Sequence, residues 1–216
     1  MQSLHSIYLS VDLDFWIGKV ESPVVFFDHL LDTVKDVSIV VEHQDLIPHA
    51  SQFDFDTLVN IDYHSDVTEV GCTNPDEEKT LSDIDCGEWV NFVPGRSQKQ
   101  HLWICPKIEC HDGSNNSDTY GLCNADHRLN PFATKNAMTG WRSHKVAVRR
   151  PSINSNISNL LFRAVDKEYS IVAAGIAISP DFSRLSHIEW MDRYMHSRHL
   201  KFLQNNQTQL YRCGEE

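Results

Sequence analysis

Residues 58–66 read Leu58-Val-Asn-Ile-Asp-Tyr-His-Ser-Asp66, an apolar run of strand character that ends in Asp-x-His-x-Asp. In an extended chain alternate side chains share a face, so Asp62, His64 and Asp66 are expected to project together from one end of a sheet. Two carboxylates and an imidazole side by side repel and desolvate one another unless a cation holds them. The set suits a hard or borderline divalent ion.

Segments of similar character flank this run. Residues 5–13 (His-Ser-Ile-Tyr-Leu-Ser-Val-Asp-Leu) read as a strand, and 24–36 follows as a helix with Val25, Phe26, His29, Leu30 and Val34 at helical spacing. A near-continuous β-branched strand over 37–42 ends at Glu42-His43, and a short helical stretch around 50–56 leads into a strand over 58–62. Strand alternating with helix implies an α/β fold with a sheet covered on both faces and right-handed crossovers.

The remainder is less regular. Residues 68–84 read as an acidic loop, 88–92 as a short strand or helix start, and 101–106 as a strand closed by Pro106. Residues 107–143, rich in Asn, Gly and Pro, read as a long loop or insertion of the kind that forms lids. A strand over 144–149, a helix over about 154–167 and a strand over 170–178 follow. The last strand runs into Ser179-Pro-Asp-Phe182, and an amphipathic helix from about 185 to 204 comes next. With 216 residues and 24.8 kDa the chain is read as one domain over 1–216, a three-layer αβα arrangement around a mostly parallel sheet.

Four strands therefore finish in polar residues: Asp12 and Asp14, Glu42 and His43, Asp62 with His64 and Asp66, and Asp181. In open parallel sheets ligands bind outside the carboxyl ends of the strands. Each residue also has a plainer role. A single Asp after a strand commonly caps a helix, a lone histidine is usually surface or core, and Ser179-Pro-Asp181 is also a turn sequence. Asp12 and Asp14 together favour a metal over a cap, and His43 joins them by the company it keeps. A separate structural zinc at Cys105, Cys110, His111, Cys123 and His127 has spacing outside the usual tight knuckles.

A net charge of −11 argues against nucleic acid and permits a cationic ligand. No apolar stretch approaches the roughly 20 residues of a membrane span. The opening Met1-Gln-Ser-Leu lacks a basic region of the kind that begins a signal peptide, so the expected compartment is the cytoplasm. The six irregularly spaced cysteines are read as free thiols.

Asp62-Tyr-His-Ser-Asp66 resembles the D-A-H-x-D motif of the arginase and agmatinase ureohydrolases, and Ser10-Val-Asp-Leu-Asp14 resembles their S-x-D-x-D motif. His43 resembles the histidine of their G-G-D-H motif, although the glycines are absent here and Asp45 or His49 are alternatives. The family places S-x-D-x-D last, whereas here it comes first, an order that implies a circularly permuted arginase/deacetylase-like domain. The arrangement is similar to a branch of arginase-like proteins with an N-terminal D-L-D-x-W/F and a C-terminal S-P-D/E. Some of these resemble peptide arginases, which convert arginine to ornithine in ribosomally made precursor peptides.

The resemblance implies a manganese-dependent hydrolase of linear amidines with two Mn²⁺ ions. Asp62 and Asp12 would bridge them, His43 and Asp66 would complete one ion, and His64 and Asp14 the other. Asp181 matches the carboxylate that holds the guanidinium, and the partner would be an arginine-containing precursor peptide. A histidine would pass a proton to the departing amine, with His49, His101, His111 and His127 as candidates. The alternatives are another amide, formimino or agmatine-type metallohydrolase, or a non-enzymatic metal-dependent binding protein.

Overall fold

The computed structural model describes residues 5–16, 23–62, 64, 66, 78–95, 98–104, 147–149, 169–205 and 208–212. Eight strands are present among them: β1 (His5–Asp12), β2 (Val37–Val40), β3 (Thr57–Ile61), β4 (Glu78–Thr80), β5 (Gln100–Ile104), β6 (Ala147–Arg149), β7 (Tyr169–Ala177) and β8 (Leu210–Arg212). Six form one sheet in the order β2-β7-β1-β3-β5-β6, with every pairing parallel. The other two, β4 and β8, make a small antiparallel ribbon. The α/β reading with a mostly parallel central sheet therefore holds. The readings over 107–143 and 154–167, and the proposed zinc ligands, lie outside the described residues.

Apolar alternation along the strands builds two cores. On one face Ile7, Leu9 and Val11 of β1 join Val59, Ile61 and Ile176 against helix α1 (Val24–Thr33) and helix α3 (Leu185–Arg198). Phe26, Phe27 and Leu30 of α1 are fully buried there, and burial of a side chain of that size is worth about 1.5–3 kcal/mol each. On the other face Tyr8, Leu58 and Ala173 pack under a 3-10 turn (His43–Leu46), the short helix α2 (Ile47–Ala50) and a 3-10 turn (Trp89–Phe92).

The connections explain where a ligand can sit. From β1 the chain passes through α1 to β2 at one edge; from β3 it continues towards β5 on the opposite side. Adjacent strands whose connections leave in opposite directions open a crevice at their carboxyl ends, and β1 and β3 are such a pair.

Several local expectations are corrected. β3 ends at Ile61 and β1 at Asp12, so strand alternation does not carry Asp62, His64 and Asp66, or Asp12 and Asp14, onto one face. The helical stretch expected at 50–56 occurs earlier, over 43–50, with Pro48 in its first turn. Helix α3 stops at Arg198 instead of 204. There His199 takes a left-handed conformation (φ 56°) and the Leu200 N–H reaches back to the Met195 carbonyl at 2.9 Å, closing the last turn. No helix among the described residues is long and apolar enough to cross a membrane.

Candidate metal centre

The two-residue spacing of the acidic motifs has a different origin from a strand. The Asp12 carboxylate accepts the N–H of Asp14 at 3.0 Å, and the Asp62 carboxylate accepts the N–H of His64 at 2.7 Å. Each is an Asx-type turn in which the first carboxylate is fixed by the backbone two residues on. That same turn swings the third residue back over the strand end. Asp66 is placed by a left-handed backbone, φ 55°, in the loop after β3.

All six sequence candidates for metal ligation meet at this crevice. His43 Nδ1 lies 3.2 Å from Asp12 Oδ2, 3.2 Å from Asp62 Oδ2 and 2.9 Å from Asp66 Oδ2. His64 Nδ1 lies 2.9 Å from Asp14 Oδ2 and 4.0 Å from Asp62 Oδ1. Two metal-competent groups result, Asp12-His43-Asp62 and Asp14-Asp62-His64, and they share Asp62. Every carboxylate in them is buried, as is His43, while the His64 side chain keeps 20% exposure.

The donor set fits a cation. Ligand atoms about 2.1 Å from a six-coordinate ion stand about 3 Å apart, the separation seen around His43 Nδ1. The remaining ring nitrogen, Nε2, is 2.6 Å from Ser10 Oγ. With Nε2–H donating to that hydroxyl, a neutral ring would offer its Nδ1 lone pair to an ion held among the carboxylates, as a ligating histidine requires. The buried Asp/His clusters are thus able to hold a metal ion.

Electrostatics agree. Burial opposes the charged His43 ring, but the Asp66 carboxylate and hydrogen bonds with Asp12, Asp62 and Asp66 raise its pKa well above the ordinary value. Burial, then the charges of Asp66, Asp14 and Asp12, push Asp62 well above the usual carboxylate range. Asp66 goes the other way: burial would raise it, but the His43 charge and hydrogen bond hold it low. For His64 burial is outweighed by its hydrogen bond to Asp14 and the surrounding carboxylates, and its pKa rises. Protons are retained where cations would stand.

Four further residues support these ligands. Ser179 Oγ donates to Asp12 Oδ2 at 2.5 Å, Asn60 Nδ2 donates to Asp62 Oδ2 at 3.2 Å, Trp89 Nε1 donates to Asp66 Oδ2 at 2.7 Å, and Ser10 holds His43. Sequence reasoning did not single them out for this task. Ser10 and Asn60 carried a signal: each is a polar residue two places before a ligand Asp in an otherwise apolar strand. Trp89 carried none, standing 23 positions from Asp66. The centre lines a small, partly open cleft of about 50 Å³, whose walls also include Asp85, Cys86, Gly87, Ser179 and Phe182.

The other candidates sit elsewhere. Asp181 is exposed on the turn after β7 and outside the cleft lining, though its charge reaches Glu42. His49 is buried with its Nδ1 2.8 Å from the Tyr8 hydroxyl, and burial lowers its pKa. His101, on β5, is buried and pushed down to about 4, with only the Asp66 charge opposing. His111 and His127 lie outside the described residues. No family model, curated protein or solved structure matches the chain.

Proposed function

We propose that this chain is a two-metal hydrolase that cleaves the guanidino group of arginine within a peptide, giving ornithine and urea. The observation that carries the reading is the shared Asp62, whose two oxygens face two different imidazoles, one per metal-competent group. Four buried carboxylates at one strand edge also match the charge of two divalent ions, Mn²⁺ in this reading. The resemblance to permuted arginase-type ureohydrolases supplies the substrate, and the cytoplasm is the proposed compartment.

A pair of divalent ions lowers the pKa of water and supplies hydroxide near neutral pH, the nucleophile that a poorly electrophilic guanidinium carbon needs. The chain's own residues do the rest. Asp12, Asp14, His43, Asp62, His64 and Asp66 would hold the ions, and Ser10, Asn60, Trp89 and Ser179 fix those side chains in place. Water adds to the guanidinium carbon, the bond to the side-chain nitrogen breaks, and that nitrogen leaves as the ornithine amine after taking a proton. Asp85 is a carboxylate of the cleft lining outside the ligand set, Asp181 lies on the turn after β7, and the acidic balance of the chain favours a cationic group.

One observation favours the second reading, another C–N metallohydrolase on the same centre. The guanidinium carboxylate that the resemblance implies, Asp181, is exposed and outside the cleft lining. Purified protein with Mn²⁺ is incubated with arginine-containing peptides, free arginine and agmatine, and urea and substrate mass are followed. Urea with a loss of 42 Da from a peptide is the expected result; no urea from any substrate, with metal bound, rejects the arginase reading. Asp62→Asn is expected to abolish turnover and lower metal content, because it weakens both groups at once.

A further inference from the structure

We infer that Trp89 is the positioning residue for one ion of the centre, the ion held by His43 and Asp66; the inference rests on the metal-centre reading above. Two contacts carry it. The indole N–H donates to Asp66 Oδ2 at 2.7 Å, and the indole plane stacks on the His43 ring with centroids 4.6 Å apart and planes 29° from parallel. One fully buried side chain thus fixes two ligands that come from different loops.

Both ligands need outside support. Asp66 sits in a left-handed backbone that an Asp tolerates only at some cost, and His43 opens a 3-10 turn of four residues with no side-chain cap. The stack sets the plane of the imidazole, and the N–H sets which Asp66 oxygen turns to it. The other group meets an aromatic ring in a different way. His64 is met at its edge by Phe182, itself 43% exposed, with centroids 5.4 Å apart.

Trp89 is in turn anchored through its neighbour. Glu88 Oε1 accepts the N–H of Asp85 at 3.1 Å and the Lys79 ammonium at 2.8 Å, and the Asn91 N–H donates to the Glu88 carbonyl at 2.9 Å. Lys79 lies on β4, paired with Tyr211 of β8. The small ribbon outside the main sheet therefore holds the turn that holds the ligands. This gives a reason for a ribbon that adds little to the core.

A purely structural Trp89, one more member of the apolar cluster, makes a different prediction. Trp89→Phe keeps a ring on His43 and removes the donor to Asp66; Val90→Ala trims a buried neighbour in the same turn whose side chain has no group to hydrogen-bond a ligand. Binding of Mn²⁺ to each metal-free protein is followed by calorimetry and elemental analysis. Two ions are expected for the wild type, with one affinity lowered about 10–100-fold in Trp89→Phe and both unchanged in Val90→Ala, whatever its thermal stability. Equal losses in the two variants, or unchanged affinities in Trp89→Phe, overturn the inference. A wild type that binds no ion overturns the metal centre itself, a separate result. Should Trp89→Phe not fold, the wild type labelled with 5-fluorotryptophan carries the test. One indole resonance moving in step with Zn²⁺ addition supports the role, and all resonances unmoved overturns it.

Discussion

Ser179 and Asp12 stand 167 positions apart in the chain, yet the serine hydroxyl donates to the Asp12 carboxylate at 2.5 Å. The contact exists because β7 lies beside β1 and runs parallel to it, so both strands deliver their ends to one edge. Ser179 reaches it with a left-handed backbone, φ 45°. Such a conformation costs a non-glycine residue about 1–2 kcal/mol, and strain of this kind clusters at functional sites. Ser179→Ala and Ser179→Gly both remove the hydroxyl, so both are expected to weaken metal binding by about tenfold or more. The glycine variant should nevertheless be about 1 kcal/mol more stable than the alanine variant, since it relieves the backbone. Calorimetric metal titration and chemical denaturation of the pair separate the two effects, and equal stabilities would refute the strain.

Gly175 links the sheet to the element that carries His43. A Cβ at Gly175 would lie 2.4 Å from Leu46 Cδ2 and 2.6 Å from the Tyr8 hydroxyl, too close for either to remain. Leu46 belongs to the 3-10 turn that begins with His43. Gly175→Ala is therefore expected to destabilise the fold by about 1–3 kcal/mol, the usual cost of overpacking, and to lower metal affinity by displacing that turn. Thermal unfolding and a Mn²⁺ titration check this; wild-type stability would show that the turn yields freely.

Most of the sheet was legible because a buried parallel strand announces itself as an unbroken apolar run bounded by polar residues. Residues 171–178 are of this kind, and 58–61 are broken only by Asn60. The ligands were legible for a related reason: nothing apolar explains Asp62, His64 and Asp66 in such company. Their geometry was not legible, because Asx turns and a left-handed Asp66 depend on hydrogen bonds that residue spacing does not distinguish from strand alternation. Trp89, the end of α3 and the β4–β8 ribbon depend on contacts distant in sequence. Lys79 and Tyr211 carry no local signal that they pair.

The proton inventory of the centre sets a pH dependence. His43 and His64 have raised pKa values in the folded protein, so the stability they contribute without metal is full below their ordinary value of about 6.5 and is lost as pH rises through the folded values. Asp62, also raised, has the same sign, its contribution fading as pH rises from its ordinary value of about 3.9 through its folded value. Asp66 is depressed and acts oppositely: its contribution is present above its ordinary value of about 3.9 and is lost as pH falls towards the folded value. As pH rises above the ordinary histidine value of about 6.5 the metal-free protein should therefore lose thermal stability, while the stabilisation gained from Mn²⁺ grows as ions replace protons. Differential scanning fluorimetry with and without Mn²⁺ measures both trends. A Mn²⁺ shift independent of pH would mean that no protons are displaced.

In the proposed reaction either Asp85 or Asp181 would hold the substrate cation. Asp85 lines the cleft, and its Oδ1 accepts the Gly87 N–H at 2.7 Å, which fixes its direction. Asp181, two residues past Ser179, is exposed and outside the lining. A charge-assisted hydrogen bond is worth about 1.5–3 kcal/mol when sheltered and less at an exposed carboxylate such as Asp85, so Asp85→Asn should raise KM for an arginine peptide by about threefold to tenfold with metal content unchanged. Asp181→Asn, at an exposed site, should change KM less than about threefold. Steady-state urea release from both variants decides between them. The reverse ranking would return the guanidinium to Asp181, with the turn after β7 closing over the cleft when a peptide binds.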